Sequence, residues 1–125
     1  MNGIKYLLNT NCIFGLLKAT PEVLEMVSRR TLLASECAYS AMTRMEFLGN
    51  LGITVTEERL IGDRLSQFTY RAITTEIEDL AIALRRACKV KLPDAIIAAA
   101  AIHHGLELLK FDIALLSIVR SAPSA

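Results

Sequence analysis

The sequence predicts an α/β fold, a three-layer α/β/α sandwich around a mostly parallel central sheet of four to five strands. Three observations predict it. Short apolar runs alternate along the chain with amphipathic stretches of helical period, the pattern of strand–helix units feeding a parallel sheet. One stretch, Pro93 to His104, is apolar nearly all round (Ala95, Ile96, Ile97, Ala98, Ala99, Ala100, Ala101, Ile102), which places a helix centrally against the sheet. The chain of 125 residues is 53% hydrophobic and 22% charged, enough to fill one interior and too apolar for disorder. Residues 1–120 are expected to form a single domain, with 121–125 a flexible C-terminal tail of small residues around Pro123.

The first strand is expected at Ile4 to Leu8, ending at Asn9-Thr10-Asn11, residue types that favour turns and helix caps. A short apolar helix comes next, from Cys12 to about Lys18. Thr20-Pro21-Glu22 opens another, with a cap, a proline at the first position and an acid in the first turn; it runs to about Arg30. Leu32 to Tyr39 reads as the second strand. Ser40 or Thr43 caps a third helix, and Thr43-Arg44-Met45-Glu46 has the spacing of a capping box. That helix stops near Gly49 to Gly52.

Thr56, with Glu57 and Glu58, starts a helix to about Gln67, and Phe68 to Ile73 reads as a third strand. The clearest helix is Thr75 to Cys88. Its apolar positions Ile77, Leu80, Ala81 and Leu84 follow i, i+3, i+4, i+7, with acids in the first turns and Arg85 and Arg86 in the last. The central helix opens at Pro93 and closes at Gly105. Leu106 to Leu109 is the fourth strand, and a last short one is expected near Leu116 to Val119.

The formal net charge is +1, so no whole-molecule field points to nucleic acid or membrane. A polyanion would need a local basic patch or a metal. No apolar run reaches about 18 residues, so no membrane span is expected. Cys12, Cys37 and Cys88 are an odd, widely spaced set, suited neither to a disulfide framework nor to a zinc knuckle. They read as reduced thiols of a cytoplasmic protein.

In open parallel sheets ligands bind beyond the carboxyl ends of the strands. Asn9 and Asp112 each follow a strand, Asp94 opens the central helix, and Glu46 lies on the helix after strand two. Gathered there, carboxylates repel: at an effective dielectric of ~20, a pair 4 Å apart costs about 4 kcal/mol. A cation relieves that cost, and hard oxygen donors select Mg²⁺ or Mn²⁺. Such an ion binds a phosphate oxygen and lowers the pKa of a bound water, the chemistry of phosphodiester hydrolysis. Each acid also has a plainer reading: Asp94 complements a helix dipole, Glu46 completes a capping box, Asp112 ends a turn. His103 and His104 suit a helix C-terminus, and Arg85, Arg86, Lys89 and Lys91 read as a solvated helix end. A phosphoacceptor receiver domain shares the size and alternation. It needs an acidic pair after strand one and an aspartate after strand three, where Asn9-Thr10 and Ile73-Thr74 stand.

Four segments carry a resemblance: Tyr6-Leu-Leu-Asn-Thr-Asn11, Ser40-Ala-Met-Thr-Arg-Met-Glu-Phe-Leu-Gly49, Leu92-Pro-Asp-Ala-Ile-Ile-Ala-Ala99 and Gly105-Leu-Glu-Leu-Leu-Lys-Phe-Asp112. In order and spacing they resemble the motif blocks of PIN domains, with the VapC-type toxins of bacterial VapBC toxin–antitoxin pairs as the nearest subgroup. The resemblance implies a PIN-like fold and a metal-dependent endoribonuclease using Mg²⁺ or Mn²⁺. It also implies a homodimer, neutralised by a VapB-like antitoxin, with RNA as substrate. The family's acidic positions fall on Asn9, Glu46, Asp94 and Asp112, with Asn9, Asp94 and Asp112 as the implied metal ligands. Two positions depart from the pattern. Asn9 stands where the family has aspartate; an amide oxygen ligates without charge, so metal binding and cleavage are expected to be impaired. Lys110 stands where many members have Thr or Ser. A module of the same fold that binds antitoxin or RNA without cutting is the alternative expectation.

Overall fold

The first strand is Tyr6–Leu8 (β1), and Lys5 just before it is bonded on both sides, its N–H donating to Glu36 O at 2.8 Å and its carbonyl accepting from Glu107 N–H at 3.0 Å. This computed structural model describes residues 3–110. The remaining elements, in chain order, are α1 (Thr10–Lys18), α2 (Pro21–Arg30), a 3-10 turn (Ala34–Glu36), β2 (Cys37–Ser40), α3 (Ala41–Leu48), α4 (Val55–Leu65), β3 (Thr69–Arg71), α5 (Thr75–Ala87), α6 (Leu92–His104) and β4 (Glu107–Leu109). The fifth strand expected near Leu116 to Val119, the tail 121–125 and Asp112 lie outside the described residues.

The four strands form one parallel sheet in the order β3-β2-β1-β4. Alternate side chains enter opposite faces. Leu7 and Ala38 point to one face, where they pack with Ile77 and Ala81 of α5 and Ala95, Ala99 and Ala100 of α6. Leu8, Tyr39 and Leu109 point to the other, against Ile13 of α1, Met26 of α2, Phe47 of α3 and Leu65 of α4. The result is the expected three-layer arrangement. Ala95 and Ala99 are fully buried, so the small residues of α6 let its backbone approach the sheet closely. On the other face Gly15 lets α1 and α2 pack closely, because a Cβ there would collide with Val23 of α2.

Two boundaries differ from the sequence expectation. Leu32 to Glu36 is not strand. The chain leaves α2 through Thr31 in the left-handed region (φ 52°), and Glu36 N–H donates to Leu33 O in the 3-10 turn. Pairing begins only at Cys37, opposite Tyr6. The helix expected from Thr56 instead starts at Val55. Thr54 is its cap, and Glu57 N–H and Thr54 N–H are each held at 3.0 Å by the other residue's side chain, a complete capping box. As expected, Gly105 closes α6 in the left-handed region (φ 66°).

Candidate functional site

All four strands run the same way, so Leu8, Ser40, Arg71 and Leu109 end at one edge of the sheet. The residues just beyond each strand end decide what that edge carries. After β1 comes Asn9. Its backbone N–H donates to Leu109 O at 3.0 Å, tying the end of β1 to the end of β4. Its side-chain Oδ1 accepts from Cys12 N–H at 2.8 Å, making Asn9 the cap of α1. That is why α1 starts at Thr10, ahead of the Cys12 start expected.

After β2 comes α3, capped by Ser40, whose hydroxyl accepts from Met42 N–H at 3.1 Å. Thr43 is therefore an interior residue of α3, and the capping box expected of Thr43 and Glu46 is absent. Both side chains point back to α1 instead. Thr10 Oγ1 donates to Glu46 Oε1 at 2.5 Å and lies 3.0 Å from Thr43 Oγ1. Thr43 is fully buried, whereas Glu46 is exposed. Thr10, the residue next to Asn9, is thus joined to the carboxylate of α3. Composition and spacing single out neither Thr10 nor Thr43 for this role. The available signal is a buried threonine one helical turn before a glutamate.

Asp94 lies in the first turn of α6. The other end of α6 feeds β4 directly, since Leu106 N–H donates to Ala101 O and Glu107 N–H to Lys5 O. The C-terminus of α6 therefore sits by the start of β4. Its 13 residues reach about 20 Å away from there. α6 also packs on α3, whose Met42 reaches the cluster formed by Ala95 and Ile97. Since α3 rises from the end of β2, this contact carries the first turn of α6 toward the edge that holds Asn9 and Glu46. The Asp94 side chain is exposed and makes no hydrogen bond or ion pair among the described residues. Lys110, also exposed, comes directly after β4. His103 and His104 end α6, away from Asp94. Burial first, then Arg71 and His103, holds His104 below the usual histidine value.

Among the described residues, no three His, Cys, Asp or Glu side chains form a metal-holding group. Glu46 and Asp94 are the two acids of the expected set within them, Asn9 is an amide, and Asp112 lies outside. The donors that remain are all oxygens. Cys12, the nearest cysteine in sequence, is buried and its thiol is pushed up to about 12, mainly by desolvation. It stays protonated and offers no thiolate. The donor set thus fits a hard divalent cation, with one formal charge fewer than an aspartate at position 9 would bring.

A parallel sheet flanked by helices on both faces, with its strand ends at one edge, defines a three-layer α/β/α domain. The PIN domain family matches residues 6–120, and the chain belongs to that family. A toxin–antitoxin complex from Klebsiella pneumoniae contains a chain 31% identical to it, superposing with a TM-score of 0.73 over 86% of this chain and 87% of that one. DNA-bound VapBC from Salmonella typhimurium (22% identity, TM-score 0.65, 82% and 83% coverage) shares the fold. So does VapBC2 from Rickettsia felis bound to a promoter DNA fragment (16%, 0.70, 92% and 92%). No curated protein sequence matches the chain significantly. No helix among the described residues is long and apolar enough to cross a membrane.

Proposed function

We propose that this chain is the toxin of a VapBC-type pair, a Mg²⁺- or Mn²⁺-dependent endoribonuclease whose metal site is weakened by Asn9. The observation that carries the reading is the junction of Asn9 and Glu46 through Thr10, at the edge where β1 and β4 end together. Asn9, Asp94 and Asp112 would hold the ion, with Glu46 beside them. The ion supplies Lewis acidity toward a phosphate oxygen and a more acidic bound water. The chain's own contribution is placement. Thr10 fixes the Glu46 carboxylate, and Asn9 is locked by its capping bond to Cys12 N–H. The partner proposed is a VapB-like antitoxin, by likeness to the toxin–antitoxin complexes above, and the substrate proposed is RNA.

The test is the Asn9→Asp variant, incubated with single-stranded RNAs and Mg²⁺ or Mn²⁺. Metal-dependent cleavage, abolished by Asp94→Asn in the same background, is expected. A second reading, a binding module that does not cut, is favoured by the use of Asn9 Oδ1 as a helix cap. On that reading Asn9→Asp still gives no cleavage and no gain in metal affinity.

A further inference from the structure

Among the described residues, two buried side-chain nitrogens have no hydrogen-bond partner: Arg71 Nε and His104 Nε2. They come from different elements, the end of β3 and the end of α6. They belong to one site all the same, since the Arg71 charge bears on His104 and helps to hold its imidazole below the usual histidine value. His103 adds a third basic group, its ring edge-on to that of His104 with 4.8 Å between centroids. Arg71 forms no ion pair among the described residues. Glu76 of α5 acts on His103, but its carboxylate is already engaged by Thr74 and by its own backbone N–H at the start of that helix. A donor shut off from water without an acceptor is costly, more so when it carries charge. One acceptor placed between the two nitrogens relieves both.

We propose that Arg71 and His104 form a binding site for a phosphate-type oxyanion. Strand β2 lies between β3 and β1, so the site stands about 10 Å across the sheet from Asn9. The chemistry fits the ligand. Arg71 Nε–H donates at any ordinary pH, and His104 donates from Nε2 once that nitrogen carries a proton. A bridging water also satisfies both nitrogens, but it leaves the Arg71 charge without a counter-ion. An oxyanion supplies the acceptor and the charge together. Arg71 and His104 are each half-buried as residues, so an anion reaches the two nitrogens by side-chain rotation and not by opening the core. Free phosphate and a phosphate of a nucleic-acid strand present the same oxygens. The inference does not rest on the nuclease reading, because inorganic phosphate alone tests it.

The test is proton NMR of the histidine ring signals of the full chain, across pH, with and without inorganic phosphate at constant ionic strength. The chain has two histidines, and His103→Gln assigns the signal of His104. Two charge-assisted hydrogen bonds place half-saturation at about 1 mM. Bound phosphate is expected to raise the His104 pKa by about one unit or more, because an opposite charge in contact favours the imidazolium. Arg71→Met, checked for folding by thermal unfolding, is expected to raise that pKa without phosphate and to abolish the response to phosphate. A short RNA with no added metal is the second arm. If it moves the His104 signal and competes with phosphate, the anion bound is that of a strand; if it does not, the site takes free phosphate, and either result supports the proposal once inorganic phosphate has moved the signal. A His104 signal that phosphate leaves unmoved, the mark of a bridging water only, overturns it, whether or not Arg71→Met folds. So does a response of equal size in Arg71→Met.

Discussion

Thr10 and Glu46, 36 residues apart in sequence, are joined by a hydrogen bond of 2.5 Å from the threonine hydroxyl to Oε1. The same hydroxyl lies 3.0 Å from that of Thr43, which is fully buried and has no solvent to turn to. Thr10→Val keeps the shape and removes the hydroxyl. It is expected to cost about 1–3 kcal/mol by leaving Thr43 unpartnered, and to lower the melting temperature by several degrees. Thr10→Ser restores most of the loss. Circular dichroism melts of the three proteins check this.

Position 9 separates capping from chemistry. Aspartate caps helices as well as asparagine does, so Asn9→Asp is expected to leave stability within about 0.5 kcal/mol while raising Mn²⁺ affinity by an order of magnitude or more. Asn9→Ala loses the bond to Cys12 N–H and costs about 1 kcal/mol or more, with no gain in metal binding. Denaturant titration and calorimetry read the two effects separately.

The thiols should divide by burial. Cys88 is exposed, while Cys12 and Cys37 are buried, their thiols pushed up by desolvation to about 12 and about 11 from 9.0. In the folded chain at mildly alkaline pH, one thiol is expected to react promptly with a disulfide reagent, and all three after denaturation. Because both folded values are raised, their contribution to stability is intact below about pH 9. It falls as pH rises toward 11–12, where the unfolded chain is ionised and the folded one is not. Unfolding free energy measured from pH 8 to 11 should decline accordingly.

Gly15 and Val23 set how closely α1 and α2 pack. Gly15→Ala drives a methyl into Val23 and is expected to destabilise by about 1–3 kcal/mol, although alanine is the better helix former. Pairing it with Val23→Ala removes the collision. The double variant should then be more stable than the sum of the two single losses, a coupling that a thermal double-mutant cycle measures.

Much of the architecture was legible from residue order. The cap-proline-acid start at Thr20, the i, i+3, i+4, i+7 pattern from Ile77 and the glycine stop at Gly105 each act through local backbone physics. Boundaries decided by partners were not. Leu32 to Glu36 has strand-like composition, but it meets the first strand only at its end, where Lys5 N–H donates to Glu36 O, and the ladder begins at Cys37 opposite Tyr6. The motif of a threonine with a glutamate three residues later occurs at both Thr43 and Thr54. Only Thr54 caps, because burial turns Thr43 inward to Thr10. At the site, the positions of Asn9 and Glu46 came from the parallel sheet rule. The threonine that links them did not, since that bond spans two helices brought together by the sheet.

The bond from Asn9 N–H to Leu109 O closes a loop of 100 residues. Closing a loop that long costs about 4 kcal/mol in chain entropy before any contact repays it. The β1–β4 pairing is therefore a late event in folding, and the edge that gathers the oxygen donors comes into being with it. A nascent chain carries Asn9, Glu46 and Asp94 well before it can bring them to the edge that β4 completes. For a protein proposed to cut RNA, that order of assembly delays activity until synthesis has passed β4.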